Sequence, residues 1–361
     1  MYRKKILMII VIMGLGFGFF FVFFFSKTFF WDNTVFEEDK VYVYIHEGDD
    51  FLKLQSNLTP LLKSVSDFTM AAEKKGYISR VRSGKFVIDK GSNNNEIINA
   101  LRGKSLIVRV TFNNHERLEK LAGRIAQQIA PDSISLLTAF LDPDFLLDKG
   151  FSPQNALSMY LPNSYDFFWN TTAENFRDQM WKSYQNFWTE GRKQQASQLG
   201  LSALEVIDLA AIVQKETQKV DERPRVAGVY LNRIKKRMKL QADPTVIYAM
   251  KLHYQNFDTI IKRVLYKDLT IQSRYNTYQY RGLPPGPITM PDISSIAAVL
   301  NPEEHRYLYF VANPNNPGYH LFAKNGREHA KNKKIYTRWL DRNRVYRCLL
   351  YTSPSPRDKR Q

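Results

Sequence analysis

The segment Leu209-Ala-Ala-Ile-Val-Gln-Lys-Glu216-Thr217 places a single carboxylate at the end of an apolar run. On a helix, the apolar side chains three, four and seven residues before Glu216 lie on its face. Partial removal of water raises the pKa of a glutamate, and a carboxyl that keeps its proton near neutral pH can act as a general acid. The same spacing also suits a surface glutamate paired with Lys219 on the next turn. Spacing alone leaves both interpretations open.

The segments around Glu216 alternate between helical and extended patterns, which predicts an α+β fold. A helix from Ser202 to Thr217 should carry Glu216, and the next helix should begin near Pro224. Prolines 284 and 285 should stiffen the loop that follows the helical part. Other predicted helices cover 51–62, 67–75, 95–101, 115–129, 173–200, 293–300 and 327–343, and predicted strands cover 41–45, 84–89, 106–112, 307–311 and 319–322.

The chain opens with Arg3, Lys4 and Lys5 and then runs from Ile6 to Phe25 without a charge. About 20 apolar residues on a helix span about 30 Å, the thickness of the hydrocarbon core of a bilayer. Basic residues before the run favour a cytoplasmic N-terminus, with the rest of the chain outside. A cleaved signal peptide is the alternative, but the run is long for one and no small-x-small site follows it. We therefore predict a single-pass anchor in the cytoplasmic membrane, in contact with its lipid.

The formal net charge is +17, from 52 basic and 35 acidic residues. Such an excess suits a polyanion, either nucleic acid, anionic lipid or cell wall, or it keeps an envelope protein soluble. An anchored outer domain argues against nucleic acid as the partner. The single cysteine, Cys348, excludes an intramolecular disulfide, and the six histidines show no metal-binding spacing. We predict neither a metal nor a cofactor.

Six motifs in order give the chain a specific resemblance. They are Val213-Gln-Lys-Glu-Thr217, Val229-Tyr-Leu-Asn-Arg-Ile234, Leu240-Gln-Ala-Asp-Pro-Thr-Val-Ile-Tyr248, Tyr275-Asn-Thr-Tyr278, Gly282-Leu-Pro-Pro-Gly-Pro-Ile288 and Tyr307-Leu-Tyr-Phe-Val-Ala312. Together they resemble the MltG (YceG-like) family of endolytic murein transglycosylases over residues 40 to 345. The chain departs from the family at Gln214, where relatives often carry Glu, and at Leu157-Ser158, where many carry Glu-Gly.

The resemblance implies a lytic transglycosylase that cleaves the β-1,4 bond between N-acetylmuramic acid and N-acetylglucosamine in nascent peptidoglycan strands. The product would be a 1,6-anhydromuramyl end, and strand elongation would stop there. The family's catalytic glutamate corresponds to Glu216. The resemblance also implies a membrane helix, a LysM-like subdomain and peptidoglycan synthases as partners.

Several polar residues are candidates for binding the sugar around Glu216. Gln241, Asn276 and Tyr278 can pair with hydroxyl and acetamido groups, although 275–278 also fits a structural loop. Arg233 could face a carboxylate of the muropeptide or cap a helix end. Asp243 could assist Glu216, or serve as a turn residue before Pro244.

The predicted domain order places the α+β catalytic part last. It comprises a basic tail (1–5), a transmembrane helix (6–25), a linker (26–40), a LysM-like subdomain (41–104), a mixed α/β YceG-like catalytic domain (105–345) and a disordered or non-native tail (346–361). Three other functions stay open: a muramidase-type hydrolase that uses Glu216 with Asp243, a non-enzymatic glycan-binding scaffold, and a nucleic-acid binder suggested only by charge.

Overall fold

The structure is a computed structural model that describes residues 2–261 and 264–343. The predicted tail at 346–361, with Cys348, lies outside the described residues. The chain divides into two compact units. The first comprises Met1–Thr111, Ala122–Leu136 and Ser164–Phe176, and the second comprises Phe112–Leu121, Leu137–Asn163 and Arg177–Gln361. The predicted boundary between residues 104 and 105 stays a prediction.

Helices and small antiparallel sheets together form a mixed α+β protein, as the sequence predicts. The helices are α1 (Tyr2–Phe30), α2 (Phe51–Leu58), α3 (Val65–Lys74), α4 (Asn94–Arg102), α5 (Leu118–Ala126), α6 (Ser133–Phe140), α7 (Pro143–Lys149), α8 (Ala173–Phe187), α9 (Glu190–Gln198), α10 (Ala203–Glu216), α11 (Arg223–Lys235), α12 (Asp243–His253), α13 (Ile293–Leu300) and α14 (Gly326–Arg342). The strands are β1 (Lys40–Ile45), β2 (Gly84–Asp89), β3 (Ile107–Phe112), β4 (Asn163–Phe168), β5 (Tyr309–Ala312) and β6 (His320–Ala323).

The first unit contains the predicted order of strand, two helices and strand. Strands β1 and β2 pair antiparallel with Val43 opposite Phe86, and both of these side chains are buried. Side-chain caps begin the helices, since Asp50 accepts from the backbone of Lys53 and Asn93 forms a capping box with Glu96. The likeness of this part to LysM stays a prediction.

Helix α1 is long and apolar enough to cross a bilayer over Lys5–Phe30. Its last turn does not stay apart from the first unit. Phe29 is 7% exposed and belongs to the core of that unit, and the buried Asn94 donates from Nδ2 to the Thr28 carbonyl at 2.8 Å. The helix therefore ends inside the packed core of the unit.

Two of the differences from the sequence-based expectation lie between residues 163 and 200. The single helix predicted for 173–200 is wrong, because α8 ends at Phe187 and α9 restarts with Thr189 as its N-cap, which accepts from the Arg192 backbone. Strand β4 was not predicted, and it pairs with β3. Arg109 and Asp166 join the two strands by a salt bridge of 3.0 Å.

The second unit is built around α10, which is buried at every position from Val206 to Val213. Helices α11, α12 and α13 pack against it. Strands β5 and β6 form the predicted hairpin, with Ala312 opposite His320. Gly286 has to be glycine, because a Cβ there would lie 2.1 Å from the carbonyl oxygen of Gln154.

Candidate active site

Helix α10 delivers Glu216 to the site as its last residue. A capping box between Ser202 and Glu205 begins the helix, and Thr217 ends it with an extended backbone. Because the helix is a rigid buried element, the position of the Glu216 backbone is fixed by the core of the second unit. The apolar face predicted from the sequence is confirmed.

The carboxyl of Glu216 is largely removed from water and accepts a short hydrogen bond. The Tyr230 hydroxyl donates to Glu216 Oε1 at 2.6 Å. Burial raises the pKa of Glu216 to about 7, the Tyr230 hydrogen bond and the charges of His320 and Arg233 lower it, and Asp243 raises it. The residue is partly exposed, so a substrate oxygen can reach it. A large fraction of these carboxyls therefore carries a proton near neutral pH.

The alternative of a surface ion pair with Lys219 is wrong. Tyr230 is the hydrogen-bond partner of Glu216, whereas the Lys219 ammonium lies over the ring of Tyr319, 5.0 Å from its centroid. A paired surface glutamate would have a lowered pKa, and the pKa of Glu216 is raised.

Asp243 and Tyr278 form a second polar pair close to Glu216. The Tyr278 hydroxyl donates to Asp243 Oδ1 at 2.6 Å. Burial first, and then the Asp243 carboxylate, raise the pKa of Tyr278, so the phenol keeps the proton that it donates. Asp243 is exposed and is the first residue of α12, which fits the predicted turn role without excluding a role at the sugar.

Thr277 joins the two loops that carry this pair. Its side-chain oxygen accepts from the Ala242 backbone at 3.0 Å and bonds to Thr245 Oγ1 at 2.8 Å, and all three residues are buried. Its carbonyl accepts from the backbone of Gln241, which has a left-handed φ of 49°. Residues outside glycine adopt such a φ at a cost, so these bonds stabilise the loop that exposes Gln241.

Two predicted sugar-binding residues use their polar groups inside the protein. Asn276 is fully buried, donates to the carbonyls of Leu269 and Ile271, and accepts from the Tyr278 backbone. Arg233 is 8% exposed and donates to two carbonyls, from Nε to Leu308 at 2.6 Å and from Nη1 to Leu240 at 2.7 Å. The bonds of Asn276 agree with the structural-loop alternative. The two carbonyls that Arg233 binds lie outside α11, so the alternative that Arg233 caps the end of its helix is wrong. A direct contact of either residue with sugar stays a prediction.

A buried carboxylate–histidine pair lies next to this centre. His320 contacts Glu222 through both its backbone N–H, at 2.8 Å from Oε1, and its ring Nδ1, at 2.7 Å from Oε2. Burial raises the pKa of Glu222, but the bonds to His320 outweigh it and hold the pKa below its ordinary value. Through its charge, His320 in turn lowers the pKa of Glu216.

Sequence reasoning missed three of these residues. Tyr230 was placed in the apolar stripe of α11, and its hydroxyl gave no separate signal. Thr277 lies inside the Tyr275–Tyr278 motif, but its pairing with Ala242 spans 35 residues. Glu222 is one of two acidic residues in the turn before α11, and no sequence pattern distinguished it from a solvent-exposed acid.

The described residues hold no group of three or more histidine, cysteine, aspartate or glutamate side chains arranged for a metal ion. The chemistry that Glu216 can perform is proton transfer. A carboxyl with a pKa near 7 can donate a proton and take one back at neutral pH.

Comparison with known proteins places this site in a family. The model of the YceG-like family matches residues 43–335. An endolytic murein transglycosylase of Bacillus subtilis (strain 168) is 32% identical over 293 residues, which are 76% of this chain and 78% of that protein. An endolytic murein transglycosylase of Streptococcus pneumoniae (serotype 2, strain D39) is 30% identical over 175 residues, or 47% of this chain and 30% of that protein.

A solved structure agrees with the sequence relatives. The crystal structure of the yceG-like protein lmo1499 from Listeria monocytogenes is similar with a TM-score of 0.53 and 25% identity, and the match covers 82% of this chain and 99% of that chain. The family model covers most of the chain and includes Glu216 with the elements around it. The chain therefore belongs to the YceG-like family.

Proposed function

We propose that this protein is a membrane-anchored endolytic lytic transglycosylase of peptidoglycan, and that Glu216 is its catalytic acid and base. The observation that carries the proposal is the Glu216 carboxyl, which is mostly buried yet partly accessible, is held by Tyr230 and has a pKa of about 7. The relatives named endolytic murein transglycosylases support the substrate class. The Bacillus relative matches 76% of this chain and the Streptococcus relative matches 47%.

The reaction needs only one protein carboxyl because the nucleophile belongs to the substrate. Protonated Glu216 gives its proton to the oxygen between C1 of the muramyl residue and C4 of the glucosaminyl residue, and the C1–O bond breaks. The muramyl 6-hydroxyl attacks C1 and forms the 1,6-anhydro ring. Its proton returns to the Glu216 carboxylate. The glucosaminyl residue leaves with a free 4-hydroxyl, and no water is consumed.

The surrounding residues hold Glu216 ready for both proton transfers. Tyr230 orients the carboxyl through its 2.6 Å hydrogen bond and stabilises the ionised form that exists between the two steps. Asp243 and Tyr278 present a hydrogen-bonded pair that can bind sugar hydroxyls, and the exposed Gln241 can bind an acetamido group. Asn276 and Arg233 support these side chains from inside.

A hydrolase that uses Asp243 as a second carboxylate is the competing function. It is favoured by the influence of the Asp243 charge on Glu216. Such an enzyme needs its carboxyls about 5–10 Å apart and releases a reducing end. The hydrogen bond from Tyr278 already engages Asp243, which supports a binding role instead.

Products distinguish these functions. Uncrosslinked glycan strands incubated with the purified protein should give 1,6-anhydromuramyl ends by mass spectrometry, and Glu216→Gln should release none above background. Reducing muramyl ends would establish the hydrolase instead. Sacculus binding without cleavage, unchanged in Glu216→Gln, would leave only a glycan-binding scaffold.

The anchored location rests on three observations. Helix α1 is long and apolar enough to span a bilayer, and basic residues lie in its first turn, before the apolar run. The burial of Phe29 favours an uncleaved helix, because removal of the helix would take a side chain out of the core of the first unit. The catalytic part would then act outside the cytoplasmic membrane on nascent strands, near the synthases that make them.

A further inference from the structure

The second unit contains a polar cleft of about 570 Å³ that does not include Glu216. It lies beside the same end of α10, because Gln214, Lys215 and Gln218 line it. Apart from Phe257, its other lining residues are polar or charged: Asn114, His115, Glu116, Arg117, Lys120, Arg223, Lys251 and Thr289. None of the residues assigned to the reaction above is among them.

Two lysines and one glutamate that line the cleft leave a positive excess. Glu116 Oε1 lies 2.8 Å from the Lys215 ammonium and Glu116 Oε2 lies 2.6 Å from that of Lys251, so two cations share one carboxylate. Burial raises the pKa of Glu116, but the two lysines outweigh this and hold the pKa below its ordinary value. The three groups therefore carry a net charge of about +1 at neutral pH.

Two other cations of the cleft are paired one to one. Lys120 reaches Asp258 at 3.0 Å, and Arg117 Nε lies 3.3 Å from Glu119 Oε2. Among the described residues, Lys215 and Lys251 both pair with Glu116 instead. The uncompensated charge is thus placed at the lysine pair.

Arg223 adds an unused donor. It is 6% exposed, and its Nη1 bonds to Ser294 at 2.7 Å and lies 3.5 Å from Asp292. Its buried Nε has no hydrogen-bond partner within the part of the chain that the structure describes. A buried guanidinium donor without a partner is costly and points to an acceptor that comes from a ligand.

We propose that this cleft binds a carboxylate of the peptide carried by the muramyl residue, while the sugar chain lies at Glu216. The inference rests on the proposed function. The shared ammonium charge of Lys215 and Lys251 and the free Arg223 donor suit an anionic group.

The distance between the two sites fits such a substrate. Lys215 and Gln214 are turned by about 100° and 160° around the helix from Glu216, so the two sites open on different faces of α10, whose diameter with side chains is about 10–12 Å. A peptide extends by about 3.3–3.6 Å per residue, so a stem of three or more residues spans this distance. The lactyl carboxylate attached directly to the sugar would not.

The test compares two substrates of equal length. One is an uncrosslinked glycan strand with free peptide carboxylates, and the other is the same strand with those carboxylates converted to amides. The full-length protein in detergent should cleave the first with a kcat/KM about tenfold higher. The readout is the rate of release of anhydromuramyl ends from each.

Two cleft variants and one matched control complete the test. Gln218→Glu adds a negative charge at an exposed position and should abolish the preference for the carboxylate strand, and Lys251→Met should do the same. Lys236→Met, at an exposed lysine outside the cleft, should keep it. Because Gln218 is exposed, Gln218→Glu should fold normally. Its result can therefore be interpreted even if Lys251→Met unfolds.

Each negative result of this test leads to a different conclusion. Equal cleavage of both strands by the wild type, with anhydro ends, would overturn the cleft proposal and leave the proposed function intact. Retention of the preference in Gln218→Glu would also overturn it. Inhibition by inorganic pyrophosphate without any dependence on peptide carboxylates would assign the cleft to a phosphate and overturn it. Absence of anhydro ends altogether would refute the proposed function.

Discussion

Removal of the Tyr230 hydroxyl should move the alkaline limb of the activity profile to higher pH. The hydroxyl stabilises the ionised carboxyl of Glu216 and so lowers its pKa. In Tyr230→Phe the pKa should rise above about 7, and the acid form should persist to higher pH. Rates of anhydro-end release between pH 5 and 9 measure the shift. Tyr254→Phe, at an exposed ring, should leave the profile unchanged, and an unshifted limb in Tyr230→Phe would contradict the assignment.

Glu216→Gln should make the protein more stable at pH 8 than the wild type. The folded pKa of about 7 exceeds the ordinary 4.5, so the contribution of this group is fully present below 4.5 and is lost as pH rises through 7. The loss is about 3 kcal/mol, because a difference of one pKa unit between the folded and unfolded states corresponds to about 1.4 kcal/mol. The amide resembles the protonated form and avoids this loss.

Thermal or urea unfolding at pH 4.5 and pH 8 measures this effect. The stability difference between Glu216→Gln and the wild type should be near zero at the lower pH and should grow toward the higher one. Glu174→Gln, at an exposed position, should show no such trend. A constant difference across the range would mean that the Glu216 carboxyl is fully hydrated.

At the scale of elements, Thr277→Val should weaken both the fold and the site. The variant keeps the side-chain shape but leaves the buried Ala242 N–H and the Thr245 hydroxyl without their partner. Such a loss costs about 1–3 kcal/mol. The loop that carries Gln241 and Asp243 should loosen, so KM should rise more than kcat falls. Thr270→Val, at an exposed position, is the control. Wild-type kinetics for Thr277→Val would show that the hydrogen bonds of Thr277 do not support the active site.

The helix that carries Glu216 could be predicted from sequence because its signals are local. Apolar spacing, the cap at Ser202 and the following Thr217 all lie within one segment. Strand β4 could not be predicted in this way, since its partner β3 lies more than 50 residues earlier. The break at Thr189 carried a cap signal, a threonine before Glu190, which the aromatic stripe of α8 obscured.

The same distinction applies to the site. The local pattern before Glu216 left two interpretations open, and the family resemblance implied its catalytic role, whereas Tyr230 comes from the next helix and looked like any packing side chain. Asn276 and Arg233 are polar residues in motifs, and only their contacts separate sugar binding from support of a loop. The sequence therefore predicted the segments that form the site more reliably than it predicted which atoms of those segments face the substrate.

At the scale of the whole molecule, α1 should contribute to stability as well as location. Phe29 is 7% exposed in the core of the first unit, and its neighbour Phe30 is 57% exposed. Phe29→Ala should cost about 3 kcal/mol, the low end for a buried phenylalanine, whereas Phe30→Ala should cost almost nothing. Unfolding of the two full-length variants in the same detergent compares positions that are adjacent in the chain. Equal stability of the two would mean that α1 ends before the core and acts as a tether alone, and it would remove the main structural argument against cleavage of the helix.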